Sequence, residues 1–166
     1  KRARDILLLC ASLVTVLFHY SSFFYNAIVN GTGIEYLADN TNLFLPIYPC
    51  NVVMWSCVLF ALFKDKKTKI CIFLADYIFW FGIFSTLVGM FANVDFIMNP
   101  TLADYENFKS ITAHATLLFN ILLLPIFGYI KIDVKQNIIN IIISIVVMAA
   151  IGCYCNLVFH TLVSES

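Results

Sequence analysis

The chain has 166 residues, of which 61% are hydrophobic and 12% charged, with zero formal net charge and a mean hydropathy of +0.90. That is too apolar for a water-soluble domain of this size and describes a polytopic membrane protein. With no excess of basic charge there is no electrostatic footprint for a nucleic acid, and none is expected as a partner.

The first residues, Lys1, Arg2 and Arg4, lead straight into a long apolar run. Residues 6–28 are too long for a signal-peptide core and lack a small-residue cleavage site, so they read as a first membrane span. Because the chain starts at Lys1 and not at Met, it is expected to be part of a longer one. Gly31-Thr32-Gly33 then supplies helix-stopping residues. Further apolar spans are expected over 47–63, 70–91, 111–130 and 138–163, each near the ~20 residues that cross a hydrocarbon core. Gly82 and Gly89 fall seven apart on one face of the third span, where they permit close approach of a neighbouring helix. Asn99-Pro100 marks a turn before the fourth. The expected fold is therefore all-α, one integral membrane domain over residues 1–166, a bundle with five spans in this chain.

The connecting segments sort by charge. Residues 1–4, 64–69 and 131–135 hold nine of the ten basic residues, whereas 31–44, 93–110 and the tail hold six of the ten acidic ones and only Lys109 among the basic. The positive-inside rule then places the protein in the cell membrane with a cytoplasmic N-terminus and an external C-terminus.

At the outer boundary of the second span stands Leu45-Pro46-Ile47-Tyr48-Pro49-Cys50-Asn51. Pro49 suits the first turn of a helix, which puts Cys50 in that turn, among unpaired N–H groups and at the positive end of the dipole. Cys50 lies four residues past Pro46, and His114 four residues past Ser110. At ~1.5 Å per residue both sit roughly 6 Å below the same surface. A thiol and an imidazole at one depth are the minimum for nucleophilic chemistry, the imidazole taking the thiol proton and later protonating the leaving group. A third group is expected to orient the imidazole, and spacing does not choose among Asn51, Asn120, Asp104 and Glu106. Tyr48 or the N–H groups at the helix start are candidate donors to an oxyanion.

The remaining polar residues have plainer readings. Cys10, Cys57, Cys71, Cys153 and Cys155 read as small buried hydrophobes in apolar runs. Asp76, inside the third span, is either a functional carboxylate or one that reaches the inner interface or pairs with a cation such as Lys69. His19, His114, His160 and Cys50 all fall on the outer side, but they come from four helices without local ligand spacing, so no metal and no cofactor is expected.

The runs LPIYPCNVVMWSC (45–57), FWFGIFSTLVGMF (79–91) and NPTLADYENFKSITAHATLLFN (99–120) resemble the YwaF-like integral membrane proteins of bacteria. That family includes the animal transmembrane protein 164 acyltransferase and is distantly similar to the androgen-induced-gene lipid hydrolases. The most specific pieces are Leu-Pro-x-x-x-Cys ending at Cys50 and the Thr112-x-His114 element. The resemblance implies six spans in the full-length protein, Cys50 as nucleophile and His114 as base. It also implies transfer of a fatty acyl group between membrane lipids through a thioester. Members often carry His where Tyr48 stands here. Two other classes are compatible with the residues alone. One is a transporter or channel lined by Asp76 and the histidines; the other is a non-catalytic membrane scaffold.

The topology predicts the labelling of introduced cysteines by a membrane-impermeant maleimide in intact cells. Thr101→Cys should react at once and Thr68→Cys only after permeabilisation; the opposite pattern would invert the orientation.

Overall fold

A computed structural model describes residues 2–39, 48–91, 97–98, 100–133, 138–147, 149–150, 153–154 and 157, with the backbone alone described for 37–39. Among these residues every regular element is helical. They are α1 (Arg2–Tyr25), continued by a π-helical turn (Asn26–Asn30), α2 (Gly33–Asp39), α3 (Pro49–Leu62), α4 (Lys69–Phe91), α5 (Tyr105–Ile126) and α6 (Ile138–Val147). Three of them are long and apolar enough to cross a membrane: α1 with its π turn, α4 and α5. The spans expected over 47–63 and 138–163 correspond to the shorter apolar helices α3 and α6. Most of residues 148–163 lies outside the described part, as do Leu45, Pro46, Asn99, Cys155 and His160.

Local chemistry sets the helix limits. Gly31, at φ 69°, takes the left-handed conformation that closes the π turn and donates its N–H to the Asn26 carbonyl. The polar segment after it predicts a loop, yet Gly33 opens α2. In α3, Tyr48 is extended and Pro49 begins the helix as its sequence position predicts. Helix α5 starts six residues earlier than expected, because Asp104 accepts a hydrogen bond from the Asn107 N–H and caps it. It ends at a Schellman turn, with Gly128 at φ 74° and hydrogen bonds from Gly128 N to Pro125 O and Tyr129 N to Leu124 O. Lys66 folds back to donate to the carbonyls of Phe60, Ala61 and Phe63, a cation on the negative end of α3.

Four helices pack as a ring in which α1 neighbours α3 and α5, and α4 neighbours the same two. On α1 the buried face is mostly small and polar, whereas α3, α4 and α5 bury an apolar core that includes Val53, Phe60, Ile78, Phe81 and Ile121. Buried residues of α1 are Leu8, Ser12, Thr15 and Ser22, while Ile6, Leu7, Leu13, Val14, Leu17 and Phe24 are exposed. Ser12 and Thr15 return their hydroxyl protons to carbonyls four residues back, so the buried polar groups are matched. Cys10 falls on the exposed face of α1, and Cys153 is exposed too, which corrects their reading as buried; Cys57 and Cys71 are buried as expected. Asn120, fully buried on α5, donates to the Ala11 carbonyl at 3.1 Å and to Thr15 Oγ1 at 2.8 Å, clipping α5 to α1. At the opposite end from α2, Arg4 donates to the Phe127 carbonyl, and the Tyr129 hydroxyl donates to Asp5. Asp76 is half-buried and forms no ion pair with Lys69, whereas Lys109 pairs with Glu106 at 2.7 Å.

The two glycines of α4 act as expected from their spacing. A Cβ on Gly82 would lie 2.8 Å from Ile121 Cδ1 and 2.9 Å from Val53 Cγ1, so α3, α4 and α5 meet at a point with room only for hydrogen. Gly82→Ala should destabilise the bundle by about 1–3 kcal/mol in thermal unfolding in detergent micelles. Ile121→Val, which deletes the nearest methyl, should recover part of that loss in the double variant. Simple additivity of the two would show that the contact does not control packing.

Candidate functional site

The ring of helices opens at its α2 end into a cavity of about 580 Å³. Its wall carries Cys50, Asn51 and Met54 from α3, Tyr48 before it, Thr15 and His19 from α1, and Val88 and Gly89 from α4. Helix α5 supplies Glu106, Lys109, Ser110, His114 and Leu117, with Asn107 and Ala113 between them. Cys50 and His114, paired in sequence by depth alone, thus face one space from two different helices.

Each is placed by its helix. Cys50 sits in the first turn of α3, directly after Pro49. The N–H groups of Asn51 and Val52 are both taken by the Tyr48 carbonyl. Pro49 has no N–H, and the N–H of Cys50 has no carbonyl of its own helix four residues before it to bond. The Cys50 thiol donates to Asn51 Oδ1 at 3.7 Å. The other end of that amide, Asn51 Nδ2, is buried and has no hydrogen-bond partner among the described residues.

His114 is held through its other nitrogen. Nδ1 lies 2.7 Å from the Ser110 carbonyl, which can only accept, so Nδ1 carries the proton and Nε2 bears the lone pair. Nε2 is buried without a hydrogen-bond partner among the described residues. The ring packs on bare backbone: a Cβ on Gly89 would be 2.2 Å from Nε2. Glycine at 89 is therefore the condition for the imidazole to occupy this place.

The groups proposed from sequence to orient the imidazole have other duties. Asn120 bonds to α1, and Asp104 is the exposed cap of α5. Asn51 meets the thiol and not the imidazole. Glu106 accepts from Lys109 at 2.7 Å, from the Ser22 hydroxyl at 3.2 Å and from the Tyr36 hydroxyl at 3.4 Å. Burial, with the neighbouring Glu106 carboxylate, raises the Tyr36 phenol above its ordinary value, so it stays a neutral donor. The orienting group is the Ser110 carbonyl, a backbone atom that no side-chain pattern announces. His19 shares the cavity, but the described residues contain no group of three or more His, Cys, Asp or Glu able to hold a metal ion.

The cavity is thus lined by a thiol-bearing residue, an imidazole and an amide, the last two with a buried nitrogen that has no partner among the described residues, groups of the kind that move a proton, attack an electrophilic carbon and receive the charge that develops. Comparison with protein-family models, with curated proteins and with solved structures finds no match to this chain.

Nitrogen-15 NMR of histidine-labelled protein should show His114 with a protonated Nδ1 and a bare Nε2 at neutral pH. Gly89→Ala should shift both signals by displacing the ring; unaltered signals in that variant would mean that Gly89 does not position it.

Proposed function

We propose that this chain is a multispan membrane enzyme that transfers a fatty acyl group between lipids, with Cys50 as nucleophile and His114 as general base. In this reading α3 and α6 belong to spans that complete a five-span segment, N-terminus inside, and the cavity opens towards the outer leaflet. The observation that carries it is that Cys50 and His114 line one cavity, with Nδ1 of His114 tied to Ser110 and Nε2 without a partner among the described residues. The resemblance of residues 45–57 and 99–120 to the YwaF-like family points to the same two residues.

The steps follow from these groups. His114 Nε2 takes the Sγ proton, and the thiolate adds to the ester carbonyl of the donor lipid. The new oxyanion is met by the two donors at the start of α3, Asn51 Nδ2 and the Cys50 N–H. Collapse breaks the carbon–oxygen bond, and the imidazolium gives its proton to the departing alkoxide, leaving a lysolipid and a thioester on Cys50. A lipid hydroxyl then loses its proton to Nε2 and attacks the thioester. The carbon–sulfur bond breaks, and the imidazolium returns the proton to the thiolate. Water in place of the hydroxyl would give hydrolysis, and a cavity walled by Met54, Val88 and Leu117 favours transfer by limiting it.

Neither rival class is favoured by the geometry. A transport path would continue past the cavity to Asp76, which does not line it. A scaffold has no need of a thiol and an unpaired imidazole nitrogen on a shared space.

Incubation of the purified protein with native lipid extract should give an acyl adduct on Cys50 detectable by peptide mass spectrometry. Its rate of formation should fall by roughly 10²-fold or more in His114→Ala and by a comparable factor in Asn51→Ala. A Cys50 that alkylates readily with iodoacetamide yet never acquires an acyl group from any lipid would overturn the proposal.

A further inference from the structure

The cavity reaches the surface of the bundle at two places of different character. At the α2 end stand Glu106 and Lys109, paired at 2.7 Å. A Cβ on Gly89 would meet the His114 ring, so Gly89 is about level with His114, and Lys109 lies five residues, about 7.5 Å, nearer that end of α5. Val88, beside Gly89, also lines the cavity, yet it is 48% exposed. The second opening is therefore well below the charged pair, on a helix apolar enough to span a membrane.

Contacts between the helices locate it. On α3, Val53 meets α4 and Trp55 meets α1; on α5, His114 meets α4 and Asn120 meets α1. These contacts fix the hand of the ring, and a step of about 100° back from Gly89 then turns Val88 towards α3. The other three seams are each closed by a contact across them. Tyr25 stacks on Tyr105 between α1 and α5, Trp55 donates to the Tyr20 hydroxyl between α1 and α3, and His114 fills the place at Gly89 between α4 and α5. The α3–α4 seam is closed by Val53 against Gly82, three residues deeper than Cys50. With those two level in antiparallel helices, Pro49 is about level with Thr86, and α4 continues five residues, about 7.5 Å, past the start of α3.

Inward, the cavity is stopped one turn below Cys50 by Met54 and one turn below His114 by Leu117, both almost fully buried, with Ile121 packed against Gly82 beneath them. A hydrocarbon chain that ends at Cys50 is thus barred by the core below and disfavoured by the charged pair above, and its open way is to the side. We propose that one alkyl chain lies in the α3–α4 seam, passing Val88 into the surrounding hydrocarbon, and that Val88 governs its fit. That the chain is the acyl group carried by Cys50 rests on the acyl-transfer reading; its binding does not.

Peptide-level alkylation of Cys50 by N-ethylmaleimide and N-dodecylmaleimide, on the protein in lipid nanodiscs, tests the seam with reagents that need no catalysis. Cys10, exposed on α1, reports how much of each reagent enters the bilayer, so the Cys50 rates are divided by its rates. Val88→Trp should lower the normalised dodecyl rate about tenfold, the worth of some two buried methylene groups, and leave the ethyl rate within about twofold. Val88→Ala should raise the dodecyl-to-ethyl ratio. An unchanged dodecyl rate in Val88→Trp overturns the seam, and so does an equal fall for both reagents. If Val88→Trp fails to fold, an unchanged or lower ratio in Val88→Ala overturns it instead. A Val88-dependent dodecyl rate with no acyl adduct from ester lipids upholds the seam and removes acyl transfer. Acyl adducts whose chain-length profile is the same in wild type and Val88→Trp uphold transfer and overturn the seam.

Discussion

The arrangement depends on how closely α4 approaches α5. Two positions on α4 carry no side chain, and each receives a side chain from the facing helix: Ile121 with Val53 of α3 at Gly82, and His114 at Gly89. The first contact closes the core. The second, seven residues further along the same helix, fixes the imidazole at the cavity wall. Packing and site geometry are thus one structural decision, and the side chain that would do chemistry stands on the rigid part of the bundle and not on a loop. The hydrogen bond from Nδ1 to Ser110 then sets the tautomer within α5 itself, so no other helix has to supply a carboxylate.

The polarity of the interior follows from the solvent that such apolar helices require. Where the surroundings are hydrocarbon, burial of apolar side chains gives no advantage, and association comes from close fit and from hydrogen bonds inside. The small and polar residues Ser12, Thr15, Ser22 and Asn120 are turned inward beside an apolar core, and on α1 the large apolar side chains Leu13, Val14, Leu17 and Phe24 face outward. Most of the inward groups are satisfied by a carbonyl one turn back or, for Asn120, by α1. Two of the few buried atoms without a partner, Asn51 Nδ2 and His114 Nε2, belong to residues that line the cavity. Unsatisfied polar atoms are costly where water is scarce, and their grouping at one place is what separates a site from ordinary packing.

How far the sequence reached depended on whether a property was periodic, covalent or spatial. Apolar runs gave the long helices because a stretch of ~20 apolar residues matches the thickness of a hydrocarbon core and exceeds what a soluble fold can bury on every side. Pro49 gave the start of α3 and hence the place of Cys50, since a ring without an N–H fits there. Equal distance from a boundary matched Cys50 with His114. Rotation about a helix axis is not contained in a depth count, so their common cavity emerges only from the packed bundle. The start of α5 was set by a cap, Asp104 to Asn107, hidden in a polar segment that read as loop. The orienting role of the Ser110 carbonyl was illegible because every residue has a carbonyl. Asn120 was one of four candidates to orient His114 that spacing does not separate, and only the position of α1 shows where its amide goes.

The length of α3 has a consequence for the lipid around it. Fourteen residues rise about 21 Å, against a hydrocarbon thickness of ~30 Å. In a bilayer, a helix that short next to the longer α1, α4 and α5 creates a hydrophobic mismatch on one side of the bundle only. The adjoining leaflet relieves such a mismatch by local thinning. Because α3 begins at Pro49, thinning at that end would draw headgroups down towards Cys50 and bring the ester region of a lipid level with the cavity mouth. On the acyl-transfer reading, such thinning would bring a lipid ester to the cavity mouth without the lipid leaving the bilayer.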